Sequence, residues 1–489
     1  MVFYEEILSL ANIPTIILLS ILFLFSLRLL KSNKLPPGPF GWPIVGSIPH
    51  IDKESYLTFD KWAKEYGDIY TVKLGWTTAV ILNSFDAIKS TLKDQGDKFI
   101  DRPRLPIIEL GFTKGGVVFE NGPAWSERRR WMFCVLRNFG LGKKSLESRI
   151  NLEADYLCKE INKNCNSFNP LHIVNNAVSN IISSISFGDR FEYSDPKFKE
   201  LLDTNRYLLK HSTFVAPVNA IPVLFYTPMY NRFREVTSSL IAFINDSIQQ
   251  HQETFDAGNI RDIIDSCLAE LEKEHVDSKL FAKDTLWRTL FDLFIAGSET
   301  TATTIMWTIL YLVKYPEVQE KLQQEVDEVL GQEKKPTWGA RQSLPYLEAT
   351  IMEVQRLSNV APLLARSTSE EVEINGYKLP PGLTILANLW NVHHDPNQWE
   401  RPFNFEPERF LTDDKRTIRK PNVFIPFGAG RRMCIGELLS KMEIFLFTAN
   451  LIQRFTFEVP DDKTTPSVNE CVPGLTRSPK PYEIYAIKR

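Results

Sequence analysis

Apolar positions along most of the chain recur with the three- to four-residue spacing of a helix with a buried face. The longest such pattern covers residues 284–315. Residues 296–301 (AGSETT) interrupt it, because a glycine and clustered hydroxyls weaken helical hydrogen bonding. A second helix is predicted to begin at Pro316 and to run through residues 317–330 until Gly331, a typical stop. The chain is therefore expected to be mainly α-helical.

Two short segments carry a different pattern and predict β-hairpins. Residues 69–82 (IYTVKLGWTTAVIL) are rich in β-branched and aromatic types and break at Gly75 and Trp76. Asn375 and Gly376, a pair that favours a two-residue hairpin turn, separate residues 372–374 from residues 377–379. The predicted fold class is therefore mainly α with small β-sheets.

The N-terminal segment is the most apolar part of the chain. Residues 7–27 carry no charge, and roughly 20 apolar residues are enough for a helix to cross a bilayer. Glu5 and Glu6 precede this run, whereas a secretory signal has a basic start. Arg28, Lys31 and Lys34 follow it, so the positive-inside rule places the remainder in the cytosol. We predict a single N-terminal transmembrane helix within residues 1–34; a buried soluble helix is the alternative.

Residues 35–50 (LPPGPFGWPIVGSIPH) are rich in proline, which removes amide donors and opposes both helix and sheet. We interpret this segment as a stiff hinge between the anchor and one large domain formed by residues 51–489. A plain linker is the alternative.

Composition narrows the class of protein. In a chain of 489 residues, 43% hydrophobic and 12% aromatic content indicates a globular protein with a large core. The net charge of −3 gives no global field that would favour nucleic acid. The six cysteines form no C-x-x-C pair or dense framework, which fits a reducing compartment.

One loop carries the clearest chemical signal. Residues 426–436 (PFGAGRRMCIG) contain the spacing F-x-x-G-x-R-x-C-x-G, formed by Phe427, Gly430, Arg432, Cys434 and Gly436. A helix that begins just after the cysteine is expected to lower the pKa of its thiol. The spacing resembles the haem-ligating loop of cytochrome P450 enzymes. The resemblance implies that Cys434 is the metal ligand of haem b, with a thiolate that favours O–O bond cleavage.

Two further motifs match the same family in the same order along the chain. Glu353 and Arg356 form its E-x-x-R motif, a pairable spacing on a helix, and Arg409 matches the third member of its buried charge network. Buried charges persist only when they are paired and hydrogen bonded, so the three residues should act as a unit. The resemblance implies a structural role, which is to hold the cysteine loop.

The interrupted turn of the long helix resembles the oxygen-binding segment A-G-x-[DE]-T-T of the family. The resemblance implies two catalytic residues, with Thr300 hydrogen bonding in the oxygen pocket and Glu299 carrying protons from solvent. Ala296, four residues before Thr300, can share its haem-facing side, whereas Glu299 is rotated by about 100°. The alternatives are a Thr300 hydroxyl bonded to its own helix and a solvated or ion-paired Glu299.

Haem carries two propionates, which need cationic donors when they are buried. Trp125 and Arg129 match the family motif W-x-x-x-R, which implies that both are propionate donors. Arg432 precedes Cys434 by two residues, and Arg366 stands where the family usually has a histidine or arginine donor. A surface salt bridge is the alternative for each arginine alone. Arg102 is a weaker candidate propionate donor. The resemblance also implies haem contacts at Phe427, Gly428, Gly436 and Ala296.

A basic segment follows Trp125, and in the family this side receives an acidic flavoprotein. The resemblance implies NADPH–cytochrome P450 reductase as partner, with cytochrome b5 as a further candidate. A solvated surface without a partner is the alternative. The basic residues are Arg128, Arg130, Arg137, Lys143 and Lys144.

Residues 125–150 resemble the animal microsomal group that contains family 2 and the steroid 17- and 21-hydroxylases. Ser440, where the family often has alanine, is a minor departure. The resemblance implies a monooxygenase on the endoplasmic reticulum membrane with its catalytic domain, residues 51–489, in the cytosol. A haem-thiolate isomerase or dehydratase without reductase is the alternative, and a haem sensor or carrier is a further one.

The substrate is expected to be an apolar small molecule, because the segments that form pocket walls in this family are mainly apolar here. A steroid, a fatty acid and a xenobiotic remain open. Asp292, four residues before Ala296, could meet a basic substrate or a cationic loop side chain, but a structural ion pair is favoured. The segments are residues 103–121, 201–215, 291–300, 360–365 and 472–475.

Overall fold

The computed structural model describes residues 15, 35–112, 115–163, 166–272, 283–460, 463–464 and 466–489. The predicted membrane anchor, residues 1–34, lies outside these residues apart from position 15. Within the described ranges, no helix combines the length and the apolar character needed to cross a bilayer.

Fifteen α-helices occur in the described ranges, and they contain far more residues than the strands do. Lys89–Asp94 continues the second of them as a π-helix. In chain order the helices are α1 Ser55–Tyr66, α2 Phe85–Ile88, α3 Pro106–Gly111, α4 Gly122–Asn138, α5 Lys144–Asn162, α6 Leu171–Ser186, α7 Pro196–His211, α8 Pro217–Ala220, α9 Asn231–Thr254, α10 Ile263–Leu271, α11 Lys283–Lys314, α12 Pro316–Val329, α13 Pro345–Ser358, α14 Leu389–His394 and α15 Glu437–Arg454.

Within the described ranges the strands form one four-stranded sheet, in the order Ile69–Leu74, Thr77–Leu82, Thr384–Asn388 and Leu363–Ser367, and three two-stranded sheets. Both predicted hairpins are present, with Ile69 opposite Leu82 in the first and a turn at Asn375 and Gly376, both at positive φ, in the second. The strands are β1 Ile69–Leu74, β2 Thr77–Leu82, β3 Leu363–Ser367, β4 Val372–Ile374, β5 Tyr377–Leu379, β6 Thr384–Asn388, β7 Phe455–Glu458, β8 Cys471–Val472, β9 Ser478–Pro479 and β10 Tyr485–Lys488.

Helix α11 lies at the centre of the core and packs against α6, α9, α13 and α15. Leu290, Phe294 and Trp307 on this helix are fully buried, as expected for a helix enclosed on all sides. The Trp307 indole N–H donates to the Arg477 carbonyl at 3.0 Å, so its polar edge is satisfied inside the core. The predicted bounds of α11 and α12 agree with the structure to within one residue.

Helix α11 is continuous from Lys283 to Lys314, so the glycine and hydroxyls of residues 296–301 do not break it. The Thr300 hydroxyl donates to the Ala296 carbonyl at 2.8 Å, in addition to the backbone hydrogen bonds of the helix. Gly297 serves close packing, since a Cβ at that position would lie 3.0 Å from Ile182 of α6. The glycine therefore lets two helices approach each other rather than breaking one of them.

Residues 35–50 lie along the edge of the main sheet. The Thr71 amide donates to the Pro37 carbonyl at 2.8 Å, and the Ser47 amide donates to the Lys73 carbonyl at 2.6 Å. A Cβ at Gly38 would lie 1.8 Å from the Thr71 carbonyl oxygen, so only glycine allows this approach. The predicted hinge is thus attached to β1 along its length.

Candidate active site

The cysteine loop is a tight turn that ends where α15 begins. Gly428 and Gly430 both have positive φ, and a Cβ at Gly430 would lie 1.8 Å from the Leu92 carbonyl oxygen. The Cys434 amide donates to the Phe427 carbonyl at 3.0 Å and closes the loop. As a result the Cys434 side chain opens into a large internal cavity.

The start of α15 lowers the pKa of the Cys434 thiol through the Gly436 amide, as expected, but burial has the larger effect. Burial raises that pKa, while the Gly436 amide and the Arg129 guanidinium oppose the rise. Helix α15 begins three residues after the cysteine, and the Glu437 carboxylate at its start raises the pKa further. A metal cation bound to Cys434 would favour the thiolate, because a coordinating thiol loses its proton.

The predicted charge network is complete. Glu353 and Arg356 are fully buried, and their side chains meet at 2.7 and 2.8 Å in a two-point contact. Arg409 Nε donates at 2.9 Å to Glu353 Oε1, which also accepts from Arg356 Nη2. Arg356 also donates to the His393 and Pro402 carbonyls, each at 2.7 Å. Every charge in this network is therefore paired within the chain, as buried charges require.

His393, which no sequence motif indicated, connects this network to the cysteine loop. Its Nε2 accepts a hydrogen bond from the Ile425 amide at 3.1 Å, directly before the loop. Burial and the nearby Arg356 lower the pKa of His393 to about 3, so the ring is neutral and its Nε2 can accept. A histidine pair in a short helix gives no sequence signal for this role.

The cavity beside Cys434 has a volume of about 300 Å³. Arg102, Arg129, Arg366 and Arg432 all line it, and none forms an ion pair with a carboxylate of the described residues. Arg366 is 2% exposed and donates only to the Ala365 and Arg432 carbonyls. The apolar part of the lining includes Val117, Leu293, Val360, Ala361, Leu364 and Leu439.

These four guanidinium groups destabilise one another. Burial lowers the pKa of Arg366 well below its usual range, and the charges of Arg102, Arg432 and Arg129 lower it further. Burial likewise lowers the pKa of Arg102 to about 10 and that of Arg432 to about 8. Such a cluster requires anionic groups, and the two propionates of haem b supply them. The residues present therefore fit haem.

Trp125 reaches the site indirectly. Its indole N–H donates to the Val117 carbonyl at 3.1 Å, and the Arg432 guanidinium carbon lies 3.6 Å from the centre of its ring. In this structure Trp125 therefore supports Arg432 by stacking, and its own donor is already satisfied. Gly428 also lies behind the cavity wall, where a Cβ would be 2.9 Å from Leu364. Phe427, Gly436 and Ala296 line the cavity as expected.

The two predicted catalytic residues lie on different sides of α11. Thr300 lines the cavity with Ala296, whereas Glu299 lines a separate cavity of about 230 Å³. Glu299 is 3% exposed, with Asn175 Nδ2 at 3.5 Å and Arg206 Nε at 4.0 Å. Burial raises the pKa of Glu299 although Arg206 opposes the rise. The predicted rotation between the two residues is observed.

Asp292 hydrogen bonds to the loop at Val117 and Val118 and does not form an ion pair among the described residues. Its Oδ2 accepts hydrogen bonds from the Val117 and Val118 amides, both at 2.7 Å. A Cβ at Gly116 would lie 2.0 Å from this oxygen, so the loop can close only with glycine there. Burial raises the pKa of Asp292 to about 6, against the lowering effect of these amides. The ion pair favoured from sequence is therefore replaced by two backbone donors.

The basic surface after Trp125 contains four of its five predicted members. Arg130, Arg137, Lys143 and Lys144 are exposed. Arg128 was wrongly included, because it is 2% exposed and donates to the Gly116 carbonyl at 3.1 Å. It belongs to the loop that Asp292 holds.

Comparison with known proteins agrees with this geometry. The cytochrome P450 family model matches residues 36–486. The chain is 39% identical over 494 residues to cytochrome P450 2U1 from Bos taurus, covering 94% of this chain and 90% of that protein. It is also 39% identical over 497 residues to cytochrome P450 2D6 from Homo sapiens, covering 99% of both.

Enzymes of this family are oxidoreductases that bind haem b through a cysteine thiolate and act as monooxygenases. The family match spans nearly the whole described chain, and the motif cysteine opens into a cavity that fits haem. The chain therefore belongs to the cytochrome P450 family, as a haem-thiolate monooxygenase of the animal family 2 type.

Proposed function

We propose that this protein inserts one oxygen atom of O2 into an apolar substrate, using electrons that NADPH–cytochrome P450 reductase delivers from NADPH. The observation that carries the proposal is the single cavity wall shared by Cys434, the arginine cluster and the Thr300 hydroxyl. A thiol, cations without a carboxylate partner and a hydroxyl, in a cavity whose surface is mainly apolar, are the groups that a haem oxygenation site needs.

Cys434 would ligate the haem iron, and Arg102, Arg129, Arg366 and Arg432 would hold the propionates. Bound haem supplies the oxygen and electron-transfer chemistry, which the thiolate promotes by donating electron density. The chain positions the thiol through two supports. The Phe427 carbonyl closes the loop, and His393 links it to the Glu353 network.

Thr300 and Glu299 would manage protons from opposite sides of α11. The Thr300 hydroxyl donates to the Ala296 carbonyl at 2.8 Å and can rotate towards the cavity. Burial favours the protonated form of Glu299, which faces a second cavity that also contains Arg206 and Lys210. That cavity offers a route by which Glu299 exchanges protons with water, while the apolar wall limits water beside Thr300.

The substrate class follows from the lining. Most of the cavity surface is apolar, and Val117, Leu293, Val360 and Leu439 contribute to it. Such a wall favours a steroid, a fatty acid or an apolar xenobiotic over a polar metabolite. Among the polar side chains of the wall, the arginines would bind the haem propionates and Thr300 would transfer protons. Asp292 hydrogen bonds to the loop at Val117.

The exposed side chains Arg130, Arg137, Lys143 and Lys144 support docking of an acidic electron donor, and cytochrome b5 would use the same surface. Met433, beside the ligand cysteine, is also exposed. An acidic electron donor that docked on this basic surface would lie close to Cys434 and therefore to the haem that accepts its electrons.

A second surface supports attachment to the endoplasmic reticulum membrane. Gly75 lies against Ala220, so the tip of the β1–β2 hairpin and the segment after α8 share one side of the molecule. Large apolar side chains are exposed there, and residues 35–50, which follow the predicted anchor, are attached to β1. Lipid is the occupant that fits them, with the catalytic domain in the cytosol. They are Phe40, Trp42, Ile44, Trp76, Val223, Tyr226 and Met229.

The proposal is tested by reconstituting the protein with reductase, NADPH and isotopically labelled O2, together with panels of fatty acids, steroids and drug-like compounds. We expect products that carry one labelled oxygen atom, formed only with NADPH. Products that form from hydroperoxides without NADPH, and without label, would instead indicate an isomerase or dehydratase.

A further inference from the structure

His251, in the last turn of α9, is a buried histidine whose two ring nitrogens both contact hydrogen-bond acceptors. Its Nδ1 lies 2.7 Å from the Ser247 carbonyl oxygen, and its Nε2 lies 2.7 Å from Asp262 Oδ2. A carbonyl oxygen and a carboxylate oxygen can only accept, so each ring nitrogen must carry a proton to make its hydrogen bond. The two contacts therefore favour the imidazolium form of His251 over either neutral tautomer.

Asp262 connects this histidine to the start of α10. Its carboxylate is fully buried, and Oδ1 accepts a hydrogen bond from the Asp265 amide at 3.0 Å, which caps the helix. The turn after α6 also closes on this side chain, because a Cβ at Gly188 would lie 2.7 Å from Asp262 Oδ2. One carboxylate therefore joins α9, α10 and the turn after α6.

The neighbouring charges leave His251 as the cation that contacts Asp262. Arg261 is engaged with a different carboxylate, since its Nε and Nη2 donate to Asp265 at 2.6 and 2.8 Å, and the Asp189 charge acts on Arg261 from the turn after α6. Although burial lowers the pKa of His251, the hydrogen bond and charge of Asp262 raise it above its usual value of 6.5, and the Asp265 charge adds to the rise. The negative end of the α9 dipole also favours a cation in the last turn.

We propose that His251 and Asp262 form a pH-sensitive latch, which holds the end of α9 against the start of α10 while His251 is protonated and loosens when the proton is lost to water. Without that proton, a ring lone pair would face a buried carboxylate at 2.7 Å, and Asp262 would lose its countercharge. Helices α9 and α10 both pack against α11. The latch therefore stabilises a layer of helices beside the central one.

The latch should be strongest in mildly acidic solution. Below about pH 6.5, His251 is protonated in the folded and in the unfolded chain, so its contribution to stability is complete. As the pH rises through the folded pKa, the folded protein gives up the proton and this contribution is lost. The junction of α9 and α10 should therefore open more easily at pH values above 6.5.

Hydrogen–deuterium exchange of the full-length, haem-loaded protein between about pH 6.5 and 8.5 tests the latch. Exchange rates are corrected for the intrinsic pH dependence of amide exchange, and peptides from the end of α9 and from α10 are compared with peptides from α15. The variants are His251→Gln, which cannot titrate, and Asp262→Asn, which keeps a capping side chain on α10. His211→Gln is the matched control, because His211 Nδ1 also contacts the carbonyl four residues earlier, at 2.8 Å from Tyr207, and forms no ion pair among the described residues.

We expect the protection of α9 and α10 in wild type to fall by about 3- to 10-fold over this pH range, while α15 keeps its protection. His251→Gln and Asp262→Asn should lose this pH dependence, and His211→Gln should retain it. Nuclear magnetic resonance of the protein with 13C-labelled histidine measures the protonation itself. The signal that disappears in His251→Gln should titrate with a midpoint above 6.5.

An equal pH dependence of protection in wild type and His251→Gln would overturn the proposal, as would a loss of protection spread evenly over the chain. A His251 signal with a midpoint below 6.5 would also overturn it. If His251→Gln does not fold, Asp262→Asn decides by the same comparison, and if neither folds, the comparison of α9 and α10 with α15 in wild type decides. Neither measurement uses NADPH or substrate, so failure of the proposed monooxygenase function is a separate result.

Discussion

Two buried groups of charges lie close to the cysteine loop, and they differ in what satisfies them. In the Glu353 network each guanidinium meets a carboxylate or a carbonyl, with contacts of 2.7 to 2.9 Å between Glu353, Arg356 and Arg409. In the cavity cluster, Arg366 and Arg432 donate to carbonyl or amide oxygens of the chain, and the charge of Arg432 lowers the pKa of Arg366. The positive charges of the first group are paired within the chain, whereas those of the second group need a bound anion.

The largest expected effect comes from breaking the complete network. Arg356→Ala leaves Glu353 buried without its main partner, and loss of one member of a buried pair typically costs about 3 to 5 kcal/mol. We expect the free energy of unfolding, measured with urea, to fall by that amount. Lys321→Ala, which breaks the half-exposed pair with Glu408, is the control and should cost less than about 1 kcal/mol. Equal losses in the two variants would contradict the distinction.

Asp292 is a third kind of buried charge, because, among the described residues, the hydrogen bonds to its carboxylate come from backbone amides and not from a cation. Its pKa is raised from 3.8 to about 6, so between these values the folded protein binds more protons than the unfolded chain. Its contribution to stability is therefore full below about pH 4 and is lost as the pH rises through 6. The change amounts to about 3 kcal/mol. The free energy of unfolding, measured with urea at several pH values, should fall more steeply with pH in wild type than in Asp292→Asn. An equal pH dependence in the two proteins would refute the raised pKa of Asp292.

Removing a charge from the incomplete cluster should have opposite effects on two properties. Arg366→Met relieves an unpaired buried cation, so the haem-free protein should be at least as stable as wild type. Haem should dissociate about 10- to 100-fold faster, as expected for the loss of a charge-assisted hydrogen bond. Haem transfer to an excess of apomyoglobin measures the rate. If haem-free Arg366→Met were destabilised as strongly as Arg356→Ala, Arg366 would be needed to stabilise the folded chain and not only to bind haem.

Exposed charges should have the smallest effect on the folded protein. Arg130→Glu with Lys143→Glu should leave the free energy of unfolding within about 1 kcal/mol of wild type. Association with reductase should slow by about 3- to 10-fold and become less sensitive to salt. Lys197→Glu on the exposed face of α7 is the matched control. Stopped-flow reduction measures the rate, and an unchanged salt dependence would exclude this surface.

Local patterns were enough to predict much of the fold and the site. Helical periodicity gave the bounds of α11 and α12, and the pair Asn375 and Gly376 gave a hairpin turn. The spacing around Cys434 identified the loop that opens into the cavity. These features depend on residues close together in sequence, where the backbone itself limits the possible arrangements.

Features that depend on distant packing were missed or wrongly interpreted. Nothing near Asp292 in sequence indicates that its partners are the amides of Val117 and Val118, about 175 positions away. The role of His393 arises only where α14 meets the loop at Ile425. Glu443, which is buried on α15 and lines the cavity, was overlooked, although an acidic residue directly before the apolar residues 444–447 is a signal for a buried acid.

The central claim is that Cys434 binds the haem iron as a thiolate, and it is tested most directly by the absorption spectrum of the reduced, carbon monoxide-bound protein. Wild type should show its Soret band at the long wavelength that marks thiolate ligation, and Cys434→Ser should lose that band. A histidine-type carbonyl spectrum in wild type, or an unchanged long-wavelength band in Cys434→Ser, would contradict the assignment of Cys434.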